Sequence, residues 1–112
     1  MTLTVTAENK TGTAIVENLT TGQKADQFLT SPDEICEKDA EFMVEFWKDN
    51  STVAPIADFS TIKFSDAKAS SPSIVDGLSY ASTRNAYQGE NPLTSVAVDS
   101  QSVTVQYIGS KL

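Results

Sequence analysis

The stretch Ala40 to Trp47, "AEFMVEFW", sets two carboxylates among six apolar residues, and how it is read decides the rest. Its β-branched and aromatic content favours a strand over a helix. Along a strand, side chains alternate sides, so Ala40, Phe42, Val44 and Phe46 form one face and Glu41, Met43, Glu45 and Trp47 the other. The first face is ordinary core. The second mixes bulk with charge and is expected to line something. Glu41 and Glu45 are not a carboxylate dyad, because four residues of strand separate them by ~13 Å at ~3.3 Å per residue. Any chemical partner of Glu45 must come from another element.

Outward from this stretch, other short strands are punctuated by turn residues. "TLTVTA" (2–7) alternates polar and apolar residues like a half-buried strand. Two further strand-like runs flank Thr20-Thr21-Gly22-Gln23, with Gly22 suited to a positive φ. Ser31 and Glu34 have the spacing of a capping box for one helical turn. "VAPIADFSTIKF" reads as one or two strands broken near Pro55, and "SDAKASSPS" as a polar loop. A short strand is expected at Ile74 to Val75 and a loop around Gln88 to Pro92. "TSVAVDSQSVTVQYI" is the clearest hairpin, turning at Asp99-Ser100-Gln101. About seven short strands at these spacings predict an all-β antiparallel sandwich, and 112 residues suit a single domain.

Composition narrows the chemistry. Fifteen acidic residues against eight basic ones give a net charge of −7, which argues against a nucleic-acid surface. With no histidine, this chain holds neither a Ser-His-Asp nor a Cys-His nucleophile system, nor the usual histidine-based metal sites. Carboxylate chemistry remains, with no metal and no cofactor expected. Cys36 is the only cysteine, so it forms no internal disulfide, and it is expected to be a buried free thiol. Asn9-Lys10-Thr11, Asn18-Leu19-Thr20 and Asn50-Ser51-Thr52 match the N-glycosylation pattern and point to a secreted, extracellular protein. Wholly apolar runs are too short for a signal peptide or a membrane span.

"ENLTTGQK", "C-x-x-x-AEFMVE", "ADFSTIKF" and "SVAVDSQSVTVQYI" resemble, in order and spacing, the C-terminal half of the eqolisins, the fungal glutamic peptidases. The resemblance is weakest from Ser70 to Pro92. It implies a concanavalin-like double β-sandwich whose concave face binds extended peptide. The family's catalytic glutamate falls on Glu45, and Glu41, Met43, Trp47 and Asp58 become candidate substrate contacts. In the family the glutamate activates a water and a glutamine amide supports the developing oxyanion, in acid. That glutamine belongs to the N-terminal half, which this sequence lacks, and Gln23, Gln27, Gln88, Gln101 and Gln106 do not sit in the matching context. Cys36 resembles a cysteine that bridges to the missing half.

The resemblance therefore implies a half-domain, 1–112, that is inactive alone unless complemented. Completion would come from a second copy, as a homo-oligomer, or from a separate Gln-bearing chain. The alternative is a non-enzymatic sandwich of the same ancestry that binds a peptide or protein, or assembles with itself.

Overall fold

The computed structural model describes residues 1–45, 48–49, 52–53, 56–71, 74–76 and 78–109. Among them there is no helix, and every ladder is antiparallel. The chain divides into two compact units, Met1–Ala40 and Glu41–Leu112.

The first unit is a meander of β1 (Thr2–Glu8), β2 (Thr11–Asn18) and β3 (Gln23–Thr30), in the order β1-β2-β3. Asn9, at φ 55°, opens the two-residue turn between Glu8 and Thr11, a backbone that asparagine tolerates. At the second turn Gly22 N–H donates to the Asn18 carbonyl at 2.8 Å, and the Asn18 side-chain oxygen accepts from Thr20 N–H at 3.0 Å. Gly22 has φ 72° and a Cβ there would meet nothing, so backbone conformation rather than space calls for glycine.

Register places Leu3, Val5 and Ala7 beside Val16, Ala14 and Gly12, and these beside Ala25, Gln27 and Leu29. This face is almost wholly apolar. It is nonetheless open: Leu3 is 61%, Val5 69% and Leu29 57% exposed. The expectation of a half-buried β1 is thus corrected, because all seven of its residues are exposed. Alternation sorts side chains to two faces, but burial needs a second layer.

The expected helical turn at Ser31 is also absent. The Ser31 hydroxyl oxygen accepts from Asp33 N–H at 3.3 Å, two residues along rather than three. The segment instead ties back onto the first hairpin. Ser31 N–H donates to the Lys10 carbonyl at 2.8 Å, Ile35 N–H to the Asn9 carbonyl at 2.6 Å, and Asn9 N–H to Glu37 Oε1 at 2.6 Å.

The second unit holds β4 (Lys48–Asp49) paired with β5 (Thr52–Val53), β6 (Thr61–Ser65), β7 (Ala69–Ser71) paired with β8 (Ile74–Asp76), β9 (Tyr87–Gln88) paired with β10 (Asn91–Pro92), β11 (Thr94–Val98) and β12 (Ser102–Tyr107). Its main sheet runs β11-β12-β6. Register lines up Val98, Val103 and Phe64 in one row and Val96, Val105 and Ile62 in the next. Here a second layer exists. Val103 and Val105, 5% and 6% exposed, cluster with Ala67 and Leu78, and Phe42, Val44 and Phe59 pack against the cluster. Burying a valine side chain this fully contributes about 1.5–3 kcal/mol.

Two expectations about loops change. The polar run after β6 contributes β7, and the supposed loop at Gln88 to Pro92 is a two-residue hairpin turning at Gly89, whose φ is 60°. Ile74 to Val75 does lie in a strand, β8. Pro55, expected to break the preceding run, lies outside the described residues.

Candidate functional site

The decisive stretch keeps its alternation but not its ladder. Residues 41–45 belong to no strand ladder among the described residues, so the expected strand is corrected there to an unpaired segment. No strand among the described residues lies alongside to accept its backbone bonds. Phe42 and Val44 are half-buried against the Val103–Val105 cluster, and the Phe42 ring meets Phe64 edge to face at 5.8 Å and 62°. Glu41, Met43 and Glu45 point the other way and are exposed, Met43 by 50%. Two aromatic and aliphatic anchors therefore fix the direction in which the two acids project.

Glu45 is open to solvent, with no hydrogen-bond or ion-pair partner among the described residues. Trp47, which alternation would place on the same side, lies outside the described residues. Asp58 stands on the approach to β6, where its Oδ1 accepts from Ser60 N–H at 2.9 Å and supports the positive φ of 60° at Ser60. It acts there as a turn acid.

The glutamines are dispersed. Gln23 begins β3, Gln27 donates through its side chain to the Phe28 carbonyl at 3.0 Å, and Gln88 lies in β9. Gln101 sits in the β11–β12 turn, and Gln106 is an exposed residue of β12. None of them hydrogen-bonds Glu45 among the described residues.

Two hollows lie elsewhere. One, of about 310 Å³, is formed on the apolar face of the first unit by residues including Val5, Gly12, Leu29 and Ile35. The other, of about 330 Å³, lies at the tip of the β11–β12 hairpin between Lys63, Asp66 and Asp99 to Ser102. In it the Ser102 hydroxyl donates to Asp99 Oδ2 at 2.6 Å, and Gln101 and Ser102 N–H donate to Oδ1 at 2.8 and 2.7 Å. The Ser102 hydroxyl, then these two amides, hold the Asp99 carboxyl below its ordinary range. Those bonds are internal to the turn and account for the arrangement.

Cys36 is exposed, which corrects the expected buried thiol: its segment is tied by Ile35 and Glu37 to the first hairpin at Asn9 and leaves the thiol open. Among the described residues no three metal-ligating side chains converge, and no helix is long and apolar enough to cross a membrane.

Comparison with known proteins gives this geometry a context. The sequence profile of the Peptidase A4 family matches residues 1–107. The chain belongs to that family. Its members are the eqolisins, so the kinship expected from the four sequence segments is shown. The chain is 37% identical over 109 residues to aspergillopepsin-2 of Aspergillus niger, a span of 95% of this chain but 39% of that protein. The crystal structure of aspergilloglutamic peptidase from Aspergillus niger superimposes with a TM-score of 0.86 and 34% identity, covering 96% of this chain and 65% of that one. Scytalido-glutamic peptidase with a transition state analog inhibitor gives 0.83 and 30%, covering 95% and 56%.

The fold class of this A4 chain is therefore the antiparallel β-sandwich, as expected. It spans well under half of the full-length relative and less than two thirds of each solved chain.

Proposed function

We propose that this chain is the glutamate-bearing part of a glutamic endopeptidase that acts on peptide or protein, with Glu45 as its catalytic residue. The observation that carries this reading is the A4 match over residues 1–107, combined with an exposed Glu45 on a segment aimed outward by Phe42 and Val44. A carboxylate open to solvent has access to a water molecule, which it would deprotonate for attack on a peptide carbonyl and then reprotonate the leaving amine. The exposed Glu41 and Met43 would contact a bound peptide on the same side, and Trp47 and Asp58 are proposed as further contacts.

Oxyanion support would come from outside this chain's described residues, among which no glutamine hydrogen-bonds Glu45. A segment equivalent to the part of the relatives that this chain does not match would supply it, in a complex with a second chain. Such a water-activating base contributes about 10²–10⁴-fold to rate. Mixing the chain with the unmatched part of the Aspergillus niger relative and assaying cleavage of an unfolded protein in acid tests the reading. Cleavage is expected only in the mixture, and Glu45→Gln is expected to reduce it by at least about 100-fold. Turnover that survives Glu45→Gln would remove Glu45 from the mechanism.

Secretion belongs to the same proposal. The Asn9 sequon lies at an exposed turn, and a mass shift on enzymatic removal of N-glycans would check it. Glu45, without a partner among the described residues, favours a second reading, a non-enzymatic A4 chain that binds an extended peptide or assembles with itself. In that case the mixture stays inactive while peptide binding persists.

A further inference from the structure

From Thr2 to Ala7, β1 alternates threonine with an apolar residue, without a charge, proline or glycine, and every residue is exposed. Among the described residues it is also an outer strand, since only β2 has two neighbours in its sheet. Proteins ordinarily blunt such an edge with charge, proline or a bulge. The opposite edge, β3, carries Lys24 and Asp26, whereas β1 is bare until Glu8.

The hairpin decides which backbone groups are free. Residues flanking a two-residue loop exchange both ladder bonds, so Glu8, Thr6, Thr4 and Thr2 address β2. The N–H and C=O groups of Leu3, Val5 and Ala7 therefore face away from the sheet.

We propose that β1 pairs antiparallel with β1 of a second copy of this chain, about a two-fold axis at Thr4. In this register Leu3 bonds Val5 of the second copy, Thr2 lies opposite Thr6, and all bonded positions are the free ones. Thr2-Leu3-Thr4-Val5-Thr6 has the same polar and apolar pattern in both directions, as an isologous contact requires. A slip of one residue would set Leu3 against Thr6 and aim free groups at those already bonded to β2.

Charge selects the same edge. Two copies each carrying −7 repel, but along β1 no acid of one strand opposes an acid of the other. The product is a six-stranded sheet in which the apolar faces bearing Leu3, Val5, Val16 and Leu29 run on from one copy to the next. This pairing does not depend on Glu45 being catalytic.

Sedimentation equilibrium of the full chain over a range of concentrations tests it, together with oxidative cross-linking. A dimer is expected, weakened about tenfold or more by Leu3→Lys, the scale at which an edge charge disfavours pairing, with unchanged circular dichroism. In a Cys36→Ser background, Thr4→Cys is expected to give a disulfide-linked dimer with added oxidised glutathione. Thr4 meets its copy as a non-bonded pair with Cα atoms about 4.5 Å apart, within disulfide reach. Asp26→Cys on the other edge is expected to cross-link little. A monomer at every concentration, a dimer indifferent to Leu3→Lys, or cross-linking through Asp26→Cys alone would overturn the proposal. Peptidase activity is not read in this experiment, so its failure leaves the reading of Glu45 standing.

Discussion

The β1-β2-β3 meander of the first unit and the β11-β12-β6 sheet of the second are both three-stranded, antiparallel and apolar on one face, yet they end in opposite states. Val105 is 6% exposed at the centre of its sheet and Val5 is 69% exposed at the edge of the other. What separates them is a second layer. Ala67, Leu78, Phe42, Val44 and Phe59 cover one face, and no residue of the first unit is buried. Binary pattern makes a face available for burial, and only packing makes it core.

The comparison breaks most readily at the valines. Val105→Asp is expected to cost several kcal/mol, enough to unfold the second unit, because an unpaired charge enters its cluster. Val5→Asp is expected to change stability by under about 0.5 kcal/mol in dilute solution, where β1 already faces water. Urea titration of both variants checks the pair, and equal losses would mean that Val5 is covered in solution. At higher concentration Val5→Asp becomes a second probe of the β1 edge.

Phenylalanines sharpen the contrast. Phe42→Ala removes a half-buried ring and its edge contact with Phe64, and a loss of about 2 kcal/mol is expected. Phe28→Ala, on the threonine-bearing face of the first sheet, is expected to stay within about 0.5 kcal/mol. The Phe42 variant also loosens the segment that aims Glu45, so in a completed enzyme it should lower activity more than stability alone explains.

The smallest expected effect compares the two hairpin turns. Asp99 is held below its ordinary range in the folded chain, so its bonds favour the folded turn above the unfolded pKa, about 3.9, and are lost as pH falls through the lower folded value. Amide exchange at Gln101 and Ser102 should therefore quicken in strong acid. The Asn18 turn uses an uncharged amide for the same task, and Thr20 and Thr21 should show no such acid step. Asp99→Asn is expected to abolish the difference.

The two hairpins are legible in the sequence because their signals are local. Gly22 supplies a positive φ, and Asp99 and Asn18 cap turns through bonds that span two or three residues. The same local logic overreached at Ser31, where the capping spacing is present but the backbone is drawn to the Asn9–Lys10 turn instead. At the candidate site the alternation of Phe42 and Val44 against Glu41, Met43 and Glu45 was readable. The missing ladder was not, because a strand is defined by its neighbour.

By itself, the sequence of this protein determined its all-β character, its turns, the two faces of each strand and its A4 kinship, since all of these rest on spacing along the chain. Tertiary structure alone decided which apolar face is covered, that Cys36 is exposed, and that Glu45 stands in solvent. Those facts depend on what another layer brings into contact, and contact across a fold is not encoded in the period of any one segment.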